Sequence, residues 1–375
     1  MSRTALTLGI LLAFGTPHAA AQFPVRVSVS ASVEGYSFDQ GVVFSKVEEY
    51  AFPVGIAVPL GRVGELTIST GYGYVRLWSR DQSQLAHQEI SGALDTQARL
   101  SWNVIPGRLV AFATTTVPTG VKTVEEQELA VLGVLSSDII GFQAPSLGSG
   151  GSAGGGFGGA VPIGSSWSVG VGGTVRKPFN YVPIVGDGRT LKPGLDIRVR
   201  AGVEGSLARR TYLRVAGIFA HQSNDAFGDS TSGIGNRVIG YLSLNQGIGN
   251  GSLTLYAFDV YRGSAQLEQT SIGTAILPRG NLFAAGLHYE FRVTGRLQVG
   301  PRAEYRWSAQ DAGGDASGLE INGEAFRYGG DVRLQLMQGL AAVLQGSGTT
   351  GFLVQGTERI HFRGPRGTLF LEWSP

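Results

Sequence analysis

The chain has 375 residues, with 30 Lys+Arg against 28 Asp+Glu and a formal net charge of +2. These charges are scattered at alternating positions and form no basic face, so nucleic acid is excluded as a partner, and 0 Cys excludes a disulfide framework, thiol catalysis and thiolate metal sites. The 58 Gly are about twice the usual share and follow no collagen-like period, which suits crowded strands and tight turns.

In chain order, Arg3, the apolar run Ala5 to Phe14 and the small residues Ala19, Ala20 and Ala21 predict a cleavable secretory signal over residues 1–21, ending before Gln22. No later stretch offers the roughly 18 consecutive apolar residues of a membrane helix, so any passage through lipid needs a closed barrel whose backbone groups satisfy one another. Residues 22–375 are expected to form that barrel as a single domain. Its pattern is plainest where Asp196, Arg198, Arg200 and Glu204 alternate with Leu195, Ile197, Val199, Ala201 and Val203, charge on one face and apolar side chains on the other.

Short turn signals recur at Pro59–Gly64, Asn103–Gly107, Pro162–Ser166, Ser206–Arg210, Gln246–Gly251, Val293–Arg296 and Gln338–Gly339. Longer polar connections lie near 39–46, 79–87, 119–150, 179–191, 223–234, 263–279, 311–320 and 355–359. Short turns on one side and long loops on the other are the asymmetry of a bacterial outer-membrane barrel. The expected fold is therefore an all-β transmembrane antiparallel barrel of about sixteen strands, with fourteen as the alternative. It runs from near Val25 to Trp373 with both termini periplasmic.

The outward stripe is expected at Leu94, Ala98, Leu100 and Trp102, at Leu213, Val215 and Phe219, and at Phe283, Leu287, Tyr289 and Phe291. Tyr72, Tyr74, Trp78, Trp102, Trp167, Tyr305, Trp307 and Trp373 are expected near strand ends as an aromatic girdle. Leu369, Leu371 and Trp373 resemble the C-terminal targeting signal of outer-membrane proteins, which implies outer-membrane lipid and the barrel assembly machinery as partners. The inward set carries both signs of charge and implies a wet interior: Asp95, Arg99, Asp196, Arg198, Arg200, Glu204, Arg214, Glu290, Arg302, Glu304, Arg306, Asp331 and Arg333.

The connection 119–150, between the fifth and sixth strands, is too long for a plain loop. Thr123 with Glu126 forms a plausible capping box, followed by a helix-like run through Leu129, Val131, Leu132 and Leu135. Sixteen-stranded porins fold a constriction loop from this position, and the insert is expected to control the throat over 119–145, unless it is an external cap. Its apolar face, continuing through Ile139, Ile140 and Phe142, would line one side of that throat. Glu125, Glu126 and Glu128, with the lumen arginines Arg198, Arg200, Arg302, Arg306 and Arg333, are the candidate constriction residues. Val117, Pro118, Thr119 and Gly120, just before the insert, resemble the Pro-Thr-Gly feature of the outer-membrane channels associated with phenol-degradation pathways (MetA-type). That resemblance implies a channel admitting hydrophobic compounds. A fatty-acid transporter type fits less well, because the first strand follows the expected signal too closely for an N-terminal plug.

His221, Ser223 and Asn224 form an H-x-S-N string at the upper end of the ninth strand, and Asn236 begins the next. The segment 212–262 resembles outer-membrane phospholipase A, a resemblance that implies His221 as general base, Ser223 as nucleophile and Asn236 as orienting residue. By the same resemblance Asp229, Thr231 and Ser232 correspond to a calcium loop. His87, His288 and His361 show no metal-ligand spacing, and Gly148–Gly159 lacks the Lys-Ser/Thr ending of a phosphate loop.

The leading expectation is passive passage of small amphipathic or hydrophobic solutes with no cofactor. The alternatives are a calcium-dependent lipid acyl hydrolase and a structural or adhesion barrel with a closed lumen.

Overall fold

The computed structural model describes residues 25–40, 42–80, 87–269, 273–311 and 319–374, and for 266–269 and 273–277 only the backbone. The expected signal at 1–21, and the parts of three outer connections at 81–86, 270–272 and 312–318, lie outside the described residues.

Alternating sequence becomes sixteen barrel strands. The first five are β1 (Arg26–Phe38), β2 (Phe44–Pro59), β3 (Gly64–Ser79), β4 in two pieces (His87–Ala93 and Thr96–Ile105) and β5 (Leu109–Val117). After the insert come β6 (Ser152–Ile163), β7 (Trp167–Pro178), β8 (Asp196–Ala208), β9 (Thr211–Gln222), β10 (Arg237–Ile248) and β11 (Gly251–Arg262). The last five are β12 (Gly280–Arg292), β13 (Leu297–Asp311), β14 (Leu319–Met337), β15 (Leu340–Gln355) and β16 (Glu358–Trp373).

Each strand pairs antiparallel with its sequence neighbours, and β1 returns to β16 from Val27↔Trp373 to Phe38↔Phe362. Among the described residues the ring of strands closes on itself, which is what a strand ladder in hydrocarbon requires. The seven short turns fall where expected, five of them with a glycine at positive φ: Gly61, Gly107, Gly164, Gly249 and Gly339. The connection expected to be long at 355–359 is instead a tight turn, Gln355 pairing with Glu358 and Gly356 taking φ +62°. A glycine in the left-handed region lets the ladder continue to its last pair.

Several outer connections also carry strand pairing that their polar composition concealed. Leu191–Lys192, Asp225–Phe227, Ser230–Ser232, Ala265–Gln269 and Gly273–Leu277 form a second antiparallel sheet. Mutual hydrogen bonding satisfies the backbone of these long loops.

Register pairs fix the two faces of the wall. Arg200 stands opposite Ile218 and Gly172, while Val199 stands opposite Phe219 and Gly173, so Arg200 faces inward and Val199 outward. The outward face exposes large apolar side chains around the ring, among them Val199 at 56%, Phe219 at 47% and Leu344 at 59%. The expected girdle residues all point outward, Trp102, Trp167 and Trp373 near the short-turn end and Trp78 and Trp307 toward the other. Tyr72 and Tyr305 are corrections, since each sits midway along its strand and not at the rim.

Leu94 is a second correction. Between the two pieces of β4 the facing switches: Ile90 is buried inside and Leu94 packs with it, whereas Leu100 and Trp102 are exposed outside. The two-residue break at Leu94 and Asp95 lets even-numbered residues face the lumen above it and the outside below it.

Candidate functional site

The break in β4 is where the insert is fastened. Thr119 Oγ1 accepts a hydrogen bond from the Thr96 amide at 2.8 Å and donates to the Leu94 carbonyl at 2.9 Å, satisfying backbone groups that the interrupted ladder leaves open. One carboxylate then holds both ends of the insert. Asp95 accepts from the Gly120 amide at 3.0 Å, and from the Ser149 amide and hydroxyl at 2.7 and 2.9 Å. A Cβ at position 120 would lie 2.1 Å from the Leu147 carbonyl oxygen, so the approach requires glycine. The Pro118-Thr119-Gly120 stretch is thus a fastening device for the loop that follows it.

From these anchors the insert enters the barrel instead of capping it. A 3-10 turn, Glu126–Glu128, leads into α1, Leu129–Leu135. Val131, Leu135, Ile139, Ile140, Phe142 and Leu147 are buried against inward residues of the wall, including Tyr36, Val47, Val75, Ile90 and Phe362. Tyr36 is the hub, meeting the Phe142 ring edge-on at 5.5 Å and the Phe362 ring at 6.1 Å. The apolar face therefore seals onto the wall and does not line a throat, because apolar side chains inside a barrel gain more from a dry contact than from water. Around this cluster the interior is filled by packed apolar side chains of the insert and the wall.

Polar groups clamp the main chain of the insert from the other direction. Glu34 and Glu49, each 1% exposed, accept hydrogen bonds from the Gln143 amide at 2.7 and 3.2 Å, and Glu49 also accepts from the Ala144 amide at 2.6 Å. Arg327 donates to the Ile140 carbonyl at 2.7 Å, Arg306 to the Asp138 carbonyl at 3.2 Å and Arg366 to the Gly141 carbonyl. These cations are balanced by Glu34 beside Arg366 at 2.9 Å and by Glu304, which takes Arg306 at 2.7 Å and the Tyr256 hydroxyl at 2.6 Å. Such buried charges persist only as a paired and hydrogen-bonded network.

Of the expected constriction residues, Arg306 takes part in the clamp. Arg302 lines a small cavity of about 120 Å³ beside Gln143, Tyr256, Arg327 and Arg366. Glu125 and Glu126 are exposed, and the Glu128 carboxylate accepts from the Glu125 amide at 2.8 Å. The helix start therefore lies two residues beyond the expected Thr123–Glu126 box, and Thr123 donates instead to the Val182 carbonyl at 2.6 Å. Arg333 pairs with Glu372 at 2.9 Å on strand segments near the short-turn end, remote in the fold from the insert. Glu34, Glu49, Arg327 and Arg366 were not singled out in the sequence. Parity alone would have put them inside, but nothing in a linear pattern said that the insert's amides and carbonyls would meet them.

Opposite the clamp the wall is built of small residues and arginines. Gly158, Gly172 and Gly202 face inward with Arg198 and Arg200. Asp196, 2% exposed, takes Arg198 at 2.7 Å and Arg176 at 3.5 Å. Below them a cavity of about 730 Å³ lies over the inner face of β4 to β10, with Arg99, Phe112, Arg200, Glu204 and Tyr241 among its lining. Above the wall, burial raises the Tyr181 hydroxyl beyond its ordinary range, and the nearby charges of Asp225 and Asp95 add to the shift.

The H-x-S-N string lies on the opposite, outer surface. His221 pairs with Ile197, sharing the facing of Phe219, and its Nδ1 is 2.7 Å from Asn236 Oδ1. Ser223 Oγ accepts from the Leu195 amide at 2.7 Å, and no hydrogen bond joins it to His221 among the described residues. Asp229 sits in the turn joining two short outer strands, the second of which contains Thr231 and Ser232. Among the described residues no three His, Asp or Glu side chains gather as a metal site around them.

No protein-family model and no curated protein matches this sequence. Solved structures similar to the chain include a Pseudomonas aeruginosa FadL homologue, with a TM-score of 0.47 and 9% identity over 94% of this chain and 90% of that one. The outer-membrane channel DcaP of Acinetobacter baumannii follows at a TM-score of 0.45 and 12% identity, over 96% and 99% of the two chains. A mutant of the TodX monoaromatic hydrocarbon channel has a TM-score of 0.45 and 9% identity, over 97% and 94%.

Proposed function

We propose that the protein is an outer-membrane channel for passive passage of small amphipathic or hydrophobic solutes, narrowed by the insert at 119–145. One observation carries the reading: the insert is sealed to one half of the inner wall, leaving a cavity of about 730 Å³ against the other half. That volume is in the range of small-molecule sites. The continuous outward apolar surface supports a membrane setting, and the outward Leu369, Leu371 and Trp373 support recognition by the assembly machinery. In planar bilayers, replacing residues 121–147 with a short Gly-Ser link should raise single-channel conductance severalfold; unchanged conductance overturns the narrowing role.

The bond between His221 and Asn236 favours a second reading, acyl hydrolysis at the outer leaflet. With its proton on Nδ1 the imidazole donates to Asn236 and presents Nε2 as a base. The Ser223 oxygen accepts the Leu195 amide, so its own proton remains available to donate. Purified protein with phospholipid and calcium should then release fatty acid, and Ser223→Ala should abolish release; no release from the unaltered protein ends this reading.

A further inference from the structure

We propose that the open half of the lumen selects anions with an apolar body, such as medium-chain or aromatic carboxylates, and that Arg200 and Arg99 set this selectivity. The inference rests on the channel reading above and names its solute class.

The charge balance of the cavity is the first observation. Arg99, Arg108, Arg200 and Arg214 line it against the single carboxylate of Glu204. Glu204 is already taken, since Arg214 Nε donates to it at 2.7 Å. Among the described residues, neither Arg99 nor Arg200 has a carboxylate within ion-pair distance. This differs from the clamp, where every arginine that grips the insert also touches a glutamate.

Geometry is the second. Arg200 lies across the glycines of β6 and β7: a Cβ at Gly172 would come within 2.8 Å of Arg200 Nε, and one at Gly158 within 3.0 Å of Arg200 Nη2. The side chain rests flat on bare backbone, and side chains at these two positions would displace it. Arg99 is held by the face of Phe112, its guanidinium carbon 3.9 Å from the ring centroid, and by Ser101 at 3.1 Å. Both guanidiniums are thus positioned without being neutralised. Guanidinium forks bind carboxylates through two parallel hydrogen bonds, which a halide cannot reproduce.

The third is the apolar share of the same cavity, to which Val110, Phe112, Ile218 and Tyr241 contribute. A bare inorganic anion would leave that surface in contact with water. An alkyl or aromatic tail covers it while the carboxylate meets the arginines.

Full-length protein in planar bilayers under a KCl gradient should show a reversal potential on the anion side, and octanoate should block the chloride current at lower concentration than octylammonium. Arg200→Gln and Arg99→Gln should each weaken octanoate block by about tenfold, Arg200→Lys should lie between, and Arg359→Gln on the outer face should leave it unchanged. Heat-modifiable migration in gels verifies that each variant is a folded barrel. A conducting pore that is cation-selective, or that octanoate and octylammonium block equally, overturns the inference and leaves the channel standing. Folded protein that passes no current overturns the channel reading and this inference with it.

Discussion

Glu34 and Arg366 are register partners across the seam where the first strand meets the last, and they join into an ion pair that also grips the insert through Gln143 and Gly141. Replacing Glu34 with Gln leaves the guanidinium buried without its counter-charge, which costs about 3 kcal/mol. The gel-shift unfolding temperature of Glu34→Gln should fall clearly below that of the unaltered protein. An unchanged temperature would show that water already neutralises the pair.

Asp95 is the common anchor of both ends of the insert. Asp95→Ala removes three acceptor contacts from one site, so the insert should loosen while the barrel stays intact. Limited trypsin digestion, cutting after Lys122, should become faster, and single-channel traces should show more flicker. If proteolysis and current noise match the unaltered protein, the apolar contacts alone hold the insert.

Gly364 lies on the seam, where a Cβ would stand 1.7 Å from the Gly35 carbonyl oxygen. Even Gly364→Ala should therefore force the first and last strands apart. Refolding yield into detergent should drop severely, whereas Gly346→Ala, with no atom within 4 Å of the added carbon, should refold normally.

Leu242 is outward-facing, 43% exposed and midway along β10. Leu242→Arg should cost about 2–4 kcal/mol if this belt sits at the bilayer midplane, and folding into lipid vesicles under urea titration would measure it. A negligible cost would place the belt outside hydrocarbon.

The barrel itself was legible because period-two alternation survives in a linear sequence. Six of the seven short turns are marked by Gly, Pro or Asn, Ser206–Arg210 being the exception, and His221 and Arg200 lie on opposite faces as their parity predicts. What a periodic reading missed follows from contacts that only the closed structure creates. Leu94 was misassigned because Ile90, Leu94, Leu100 and Trp102 all keep even numbers while the strand changes facing between them. Ile90 and Leu94 are apolar for the sake of the insert, Leu100 and Trp102 for the sake of the outside, and parity cannot distinguish the two reasons. The clamp was hidden likewise: its ligands are backbone amides and carbonyls of the insert, whose position no side-chain pattern reports.

The placement of the insert between the fifth and sixth strands, with its grip on Arg366 of the last one, orders the maturation of the molecule. A nascent chain has produced the insert long before it owns the residue that latches it. Latching thus belongs to the final stage of assembly, and a cylinder that has not yet joined its two ends has a segment waiting with nowhere complete to dock.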